Sequence, residues 1–286
     1  MAWTDITRRQ YEPPKGRYAS DLSDAEWAVL EPMLPAARRL GRPRTVDLRE
    51  VVNALLFIAR SCCQWRLLPK DFPPFTTVQY YFYQWRDCGL WRAINNTLVM
   101  ELREKAGREA SPSAGVIDSQ SVKTTESGGI RGFDAGKKIN GRKRHIVTDT
   151  GGLLVGLVVH GANIQDRDAA PIVLKSILKR WPWLRHIFAP LGDACIACRA
   201  TDGGYGGPKL KGALQKIGKF KLEIVKRSDK AKGFVLLPRR WVVERTFAWL
   251  NRSRRLAKDF EHSIASAEAW IFIASIRMMT QRLARG

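Results

Sequence analysis

An α/β protein with a helical N-terminal region is predicted by three observations. Apolar residues recur at helical spacing up to Lys105. From Ala114 onward, short alternating runs typical of strands are interleaved with helical stretches. Basic charge is unevenly shared: residues 1–110 hold 17 basic and 13 acidic residues, whereas residues 111–286 hold 32 and 14. The whole chain of 286 residues has a formal net charge of +22, which suits a polyanionic partner and disfavours an enzyme of small neutral substrates.

Residues 1–17, with Pro13-Pro14 and Gly16, read as a flexible tail. Asp21 or Ser23 caps a helix through Ala25, Trp27 and Leu30, which Pro32 and Pro35 interrupt. After the basic turn Ala36–Thr45, Leu48, Val51, Val52, Leu55, Leu56 and Ile58 mark an amphipathic helix. Past the proline-rich Leu68–Pro74 break, Thr76 and Thr77 are expected to cap a helix from Val78 to about Cys88; Gly89 stops it, and Leu90–Lys105 is helical again. These short helices resemble a helix-turn-helix unit with Gln79, Tyr83 and Arg86 facing DNA. The same pattern also fits a plain bundle whose aromatics Tyr80, Phe82, Trp85 and Trp91 are core.

Gly107–Ser113 marks a boundary, so residues 18–108 form a helical region and 109–286 a second unit. Ala114–Val122 alternates as a strand, and Arg144–Thr150 with Leu153–His160 forms a hairpin across Gly151-Gly152. A helix follows from Asp166 to about Lys179, then a strand over 184–189, a helix over 208–217 and a strand over 222–226. Pro238 opens a helix running to Lys258, and a last helix covers about 263–284.

The N-terminus lacks the apolar core of a signal peptide, and no apolar run approaches the ~18–20 residues of a membrane span, so a cytoplasmic, nucleoid-associated protein with no membrane partner is expected. Five cysteines give no disulfide framework, and Cys195-x-x-Cys198 lacks the further ligands a zinc site needs.

Divalent-metal phosphodiester chemistry needs carboxylate oxygens converging on hard cations, so isolated acids in apolar or basic surroundings are sought. Asp118 lies within an apolar strand, Asp202 heads Asp-Gly-Gly-Tyr-Gly-Gly, and Glu244 is the sole acid among seven basic residues between Arg239 and Lys258. Each has a plainer reading: a strand end, a turn starter, or an ion pair of Glu244 with Arg240. On a continuous helix, Arg240, Glu244, Asn251 and Arg255 share one face. Asp149, Asp166 and Asp168 read as turn or helix N-terminal residues, and Asp193 stays a competitor.

Two basic tracts flank these acids. Lys123–Arg144, with Lys123, Arg131, Lys137, Lys138, Arg142, Lys143 and Arg144 among glycines, reads as a loop that lies on phosphates. The Glu244 helix contributes Arg240, Arg245, Arg252, Arg254 and Arg255.

The motifs Ser20–Trp27, Gln64–Pro74, Ile117–Thr124, Gly141–His145, Gln165–Asp168, Asp202–Tyr205 and Pro238–Leu250 resemble, in this order, bacterial insertion-sequence family 5 transposases of the DDE type. That resemblance implies an RNase H-like catalytic domain. It implies that Asp118, Asp202 and Glu244 are catalytic and hold two Mg²⁺ (or Mn²⁺) ions, with no small-molecule cofactor. It further implies cleavage at the element's terminal inverted repeats, joining to target double-stranded DNA, and a homo-oligomer in synapsis. Arg240 matches the family's basic companion of the glutamate; Arg252 or Arg255 stands for the later one. Residues 190–201 are an atypical insert before Asp202, which either leaves Asp202 in place or displaces it. The alternative reading is a catalytically inactive, transposase-derived DNA-binding protein or repressor; a third is an RNase H-like nuclease that cuts without joining.

Overall fold

A computed structural model describes all residues except 1–3, 5–17, 38–42, 191–204, 206–207, 219, 226–237 and 286. Helix α1 (Asp24–Leu30) begins at Ser23, whose Oγ accepts from the Glu26 N–H while the Glu26 carboxylate accepts from the Ser23 N–H, a reciprocal cap. Helix α2 (Leu48–Ser61) is capped by Asp47 and buries Val51, Leu55 and Ile58 completely. Helix α3 (Phe75–Asp87) starts three residues before the predicted Val78. Pro74, with φ of −47°, is preset for the turn and its carbonyl accepts from the Thr77 and Val78 N–H groups, so the two threonines sit inside the first turn and do not cap it. Gly89, at φ of +74°, separates α3 from α4 (Leu90–Lys105).

The sheet is built from β1 (Ala114–Lys123), β2 (Gly132–Asp134), β3 (Ile139–Asp149), β4 (Leu154–Gly161), β5 (His186–Pro190) and β6 (Lys221–Val225). Strand β3 is the hub: β1 pairs antiparallel along one side, and β2 and β4 pair antiparallel along the other. Beyond β1, β5 and β6 continue the sheet in parallel. Helices α5 (Asp166–Ile177), α6 (Pro208–Ile217), α7 (Pro238–Leu250) and α8 (Ile264–Ala284) complete the unit. Three antiparallel strands followed by two parallel ones, with helices packed on them, is the mixed α/β, RNase H-like arrangement anticipated from the sequence.

Two further sequence expectations need correction. The basic tract 123–144 is not simply a loop: it holds β2 and the first half of β3, and Gly141-Arg-Lys-Arg144 lies inside the sheet. Gly141 passes so close to β1 that a Cβ there would sit 2.0 Å from the Val122 carbonyl oxygen. The helix expected to reach Lys258 stops at Leu250; the chain turns through Asn251–Ser253 into a single 3₁₀ turn, Arg254–Leu256. Asn251 and Arg255 therefore leave the helical line of Arg240 and Glu244.

Helix α8 packs on α1, α2, α3, α4 and β4, so the helical region and the sheet share one core. Phe82 of α3 stacks on Trp270 of α8 at 4.7 Å, and Trp85 and Trp91 are buried beside them. Each such aromatic contributes about 2–3 kcal/mol by leaving water. Tyr80, in contrast, is 60% exposed and belongs to the surface. No helix among the described residues is long and apolar enough to cross a membrane.

Candidate active site

Successive residues of β1 point to opposite faces of the sheet. Asp118 and Gln120 share the face of their β3 partners Ile146 and Arg144, where Phe247 and Leu250 of α7 pack. Ser119 and His145 lie on the other face, beneath the start of α5. Strand β1 thus separates two polar assemblies that meet at Asp118.

On the α7 side, Asp118 is partly exposed yet largely surrounded by protein. Burial pushes its carboxyl up to about 7, against a hydrogen bond from the Ser119 N–H and the nearby charges of Lys137 and Arg240. That N–H lies 2.7 Å from Asp118 Oδ1. The loss of water around this carboxylate outweighs the two neighbouring cations. Glu244, one turn beyond Arg240 on α7, accepts from Arg240 Nε at 2.6 Å, the ion pair of the plainer sequence reading.

On the α5 side, Asp166 is the hub. Its Oδ1 accepts from Ser119 Oγ at 3.0 Å, is ion-paired with Lys143 Nζ at 3.2 Å, and lies 3.6 Å from His145 Nε2. His145 stacks on His160 with ring centroids 4.8 Å apart. Burial, together with the neighbouring His160 and Lys143, pushes the His145 imidazole well below its usual range, so it is neutral. The buried Tyr205 hydroxyl is 3.3 Å from His145 Nδ1; burial and the charges of Asp166 and Asp118 push its pKa well up. Ser119 joins the two sides, with its backbone bound to Asp118 and its hydroxyl to Asp166.

Sequence reasoning set Asp166 aside as a helix N-terminal residue. It is that, since α5 begins there, but it also anchors this network. Ser119, His145 and Tyr205 were not singled out either. The available signal was the run of polar side chains, Ser119, Ser121, Lys143 and His145, at inward-facing strand positions where apolar residues belong.

Asp202 lies outside the described residues, as do Asp193, Cys195, Cys198 and nearly all of the 190–201 insert; Pro190 is the last residue of β5. Among the described residues, no group of three or more His, Cys, Asp or Glu is arranged to hold a metal. Asp118 and Glu244 offer hard anionic oxygens of the type Mg²⁺ and Mn²⁺ select, and the burial of Asp118, only partly offset by Lys137 and Arg240, fits a cation there.

The basic residues separate into two sets. Arg142 is completely buried, donating to Asp259 Oδ1 (3.0 Å) and to the carbonyls of Ile130 (2.8 Å) and His262 (2.7 Å). Arg144 is buried against the carbonyls of Leu256 and Lys258. Lys143 is ion-paired with Asp166 and Asp134 and donates to the Ile164 carbonyl. Arg255 pairs with Glu261 and stacks over Trp270. Arg86 is held by Asp87 and by Ser266 of α8. Arg245 is half-buried over Trp249. Lys123, Arg131, Lys137, Lys138, Arg252 and Arg254 are exposed, as is Tyr83, whose hydroxyl accepts from Gln79.

Residues 109–279 match the family described as "Transposase DDE domain", and residues 22–95 match "Putative transposase of IS4/5 family". Over 122 residues the chain is 34% identical to "Putative transposase for insertion sequence element IS402" of Burkholderia cepacia, covering 42% of this chain and 54% of that protein. The chain thus spans about half the length of that relative. It is also 26% identical over 101 residues to "Uncharacterized protein y4sN" of Sinorhizobium fredii (strain NBRC 101917 / NGR234), covering 30% of this chain and 81% of that protein. No solved structure matches.

Proposed function

Because the chain belongs to the insertion-sequence transposases of the DDE type, we propose that it cuts DNA at the terminal inverted repeats of its own element and joins the released 3′ ends to target DNA. The observation that carries this reading is Asp118: a mid-strand carboxylate that burial holds near 7, beside Arg240 and under the helix that bears Glu244.

In this reading Asp118, Asp202 and Glu244 hold two divalent cations. When bound, such ions activate the attacking oxygen and stabilise the leaving oxygen of a phosphodiester. Water attacks the phosphorus and the P–O3′ bond breaks, leaving a 3′-OH; that hydroxyl then attacks a target phosphorus and displaces the next 3′ oxygen. The chain's own contribution is positioning. Ser119 holds Asp118 through its N–H, and Asp166 anchors the Ser119 hydroxyl. Arg240 is close enough to Asp118 to move its titration, and so can hold a phosphate oxygen while it orients Glu244. Asp202 enters this reading from the sequence, three residues before Tyr205, whose hydroxyl faces His145.

The exposed Lys123, Arg131, Lys137, Lys138, Arg252 and Arg254 are assigned to phosphates, with Gln79 and Tyr83 on the α3 surface as base-edge readers. The residues 18–108 and 109–286 act as DNA-recognition and catalytic parts, and two ends are brought together by a homo-oligomer. A competing reading, an inactive DNA-binding derivative, is favoured by the Arg240–Glu244 ion pair, which occupies a proposed ligand. The discriminating assay incubates the protein with the DNA flanking its gene, Mg²⁺ and a supercoiled target plasmid. Joined products that vanish in Asp118→Ala and Glu244→Ala support the transposase. DNA binding with neither cleavage nor joining supports the derivative, and cleavage without joining supports a nuclease.

A further inference from the structure

A cleft of about 680 Å³ opens where the end of α7 and the 250–253 turn meet α2 and α8. Its floor is apolar, with Leu56, Ala59, Ala274 and Met278. Its walls carry Arg60, Arg252, Arg277, Arg282 and Arg285, and no acidic residue lines it among the described residues. Arg277 is neutralised by Glu26 at 2.6 Å. The other four have no carboxylate partner among the described residues: Arg60 donates to the Arg252 carbonyl at 3.0 Å, and Arg282 stacks over Trp249 at 4.4 Å. Arg245 stacks over the same indole at 4.6 Å, so two guanidiniums share one ring. Burial and the adjacent Arg245 charge push the Arg282 pKa down, against the more distant charge of Asp149.

Like charges gathered around one cleft are costly unless an anion joins them. A single phosphate fills only a small part of this volume, and several separate guanidinium forks suit a run of phosphates better. The cleft also lies at the far end of the helix that carries Glu244. From Glu244 to Leu250 the helix advances about 9 Å, roughly three base pairs of a duplex with phosphates each ~3.4 Å along a strand.

We infer that this arginine cleft binds the phosphate backbone of double-stranded DNA extending away from the acidic site, a second anchorage separate from the cleavage centre. The inference rests on the transposase reading for its choice of polyanion.

The test measures binding of a 30-bp duplex from the flanking DNA to the full chain over a salt series, in the wild type and in Arg60→Gln/Arg285→Gln. Each lost phosphate contact flattens the slope of log K against log salt by about 0.9. The double variant should therefore flatten it by about 1.8, making the affinity loss between 50 and 200 mM salt roughly tenfold smaller. An unchanged slope in a folded variant overturns the cleft. Should Arg60→Gln loosen the fold, Arg285→Glu alone, at the exposed end of α8, must still weaken duplex binding; if it does not, the cleft is overturned. Inorganic pyrophosphate raising the melting temperature in the wild type but not in the variant, with an unchanged duplex slope, assigns the cleft to a free anion and overturns the DNA claim. A protein that binds duplex with the expected slope change yet never cuts refutes the transposase chemistry and sustains the cleft.

Discussion

Arg142 separates a structural cation from a DNA contact, and its replacement by alanine is the most informative stability experiment. Its guanidinium is completely buried and makes three bonds, to Asp259 and to the carbonyls of Ile130 and His262. Asp259 is 2% exposed, and its second oxygen already has no hydrogen-bond partner. Arg142→Ala would leave that buried carboxylate with the Glu261 N–H as its one remaining donor, and no ion-pair partner, among the described residues. Removing one member of such a pair costs about 3–5 kcal/mol, a large part of the ~5–15 kcal/mol that holds a typical domain folded. For a chain of this size the melting temperature should fall on the order of 10 °C. The double variant Arg142→Met/Asp259→Leu should recover most of the loss, because the desolvation cost goes with both charges. Arg131→Ala, at an exposed position, should change stability by under about 0.5 kcal/mol and instead flatten the salt slope of DNA binding by about 0.9. Urea unfolding and salt-dependent binding on the same proteins decide the matter. A loss under about 1 kcal/mol in Arg142→Ala, together with a flattened salt slope, would refute the burial argument and return Arg142 to the DNA surface.

Further outcomes follow from the polar network. Asp166→Asn should lower the cleavage rate at saturating DNA by about 10–100-fold, raise the divalent-ion concentration needed, and leave DNA affinity unchanged; an equal loss of affinity would mean a merely structural role. His145 and His160 both have pKa values pushed down chiefly by burial. They are neutral in the fold and protonate near 6.5 when unfolded, so their stabilisation is complete above that pH and lost below it, by up to about 1.4 kcal/mol per unit for each. Buried carboxyls such as Glu268, whose pKa burial raises, act in the opposite sense. The check is therefore the wild type against His160→Gln in urea between pH 7.5 and 5.5, where the variant should show the smaller loss of stability on acidification. Asp149→Ala should cost about 3 kcal/mol or more, since this carboxylate accepts from the Gly151 and Leu153 N–H groups and pairs with buried Arg103; thermal unfolding within 1 °C of the wild type would contradict it.

What the sequence disclosed follows its periodicities. The amphipathic spacing of Leu48–Ala59 located α2, and alternation across Gly151-Gly152 located the β3–β4 hairpin. Asp118 was legible because a charge within an apolar strand is expensive. Arg142 and Arg144 misled for the converse reason: a cluster of basic residues reads as solvated surface, and only their partners Asp259, Leu256 and Lys258, more than a hundred residues away, reveal them as buried. The end of α7 was hidden because the residues after Leu250 keep helix-compatible composition, and the stop is made by the 250–256 turns. Asp166 was concealed by having two roles, a helix start and a network hub, of which only the first has a local signature.

If Asp118 binds the divalent ion that supports strand cleavage, Asp118→Cys must change which metal the protein uses. A soft thiolate pairs poorly with Mg²⁺ and better with Mn²⁺. Cleavage of the flanking DNA by Asp118→Cys should be lost in Mg²⁺ and partly restored in Mn²⁺, while the wild type works in both. Undiminished cleavage by the cysteine variant in Mg²⁺ would contradict the assignment.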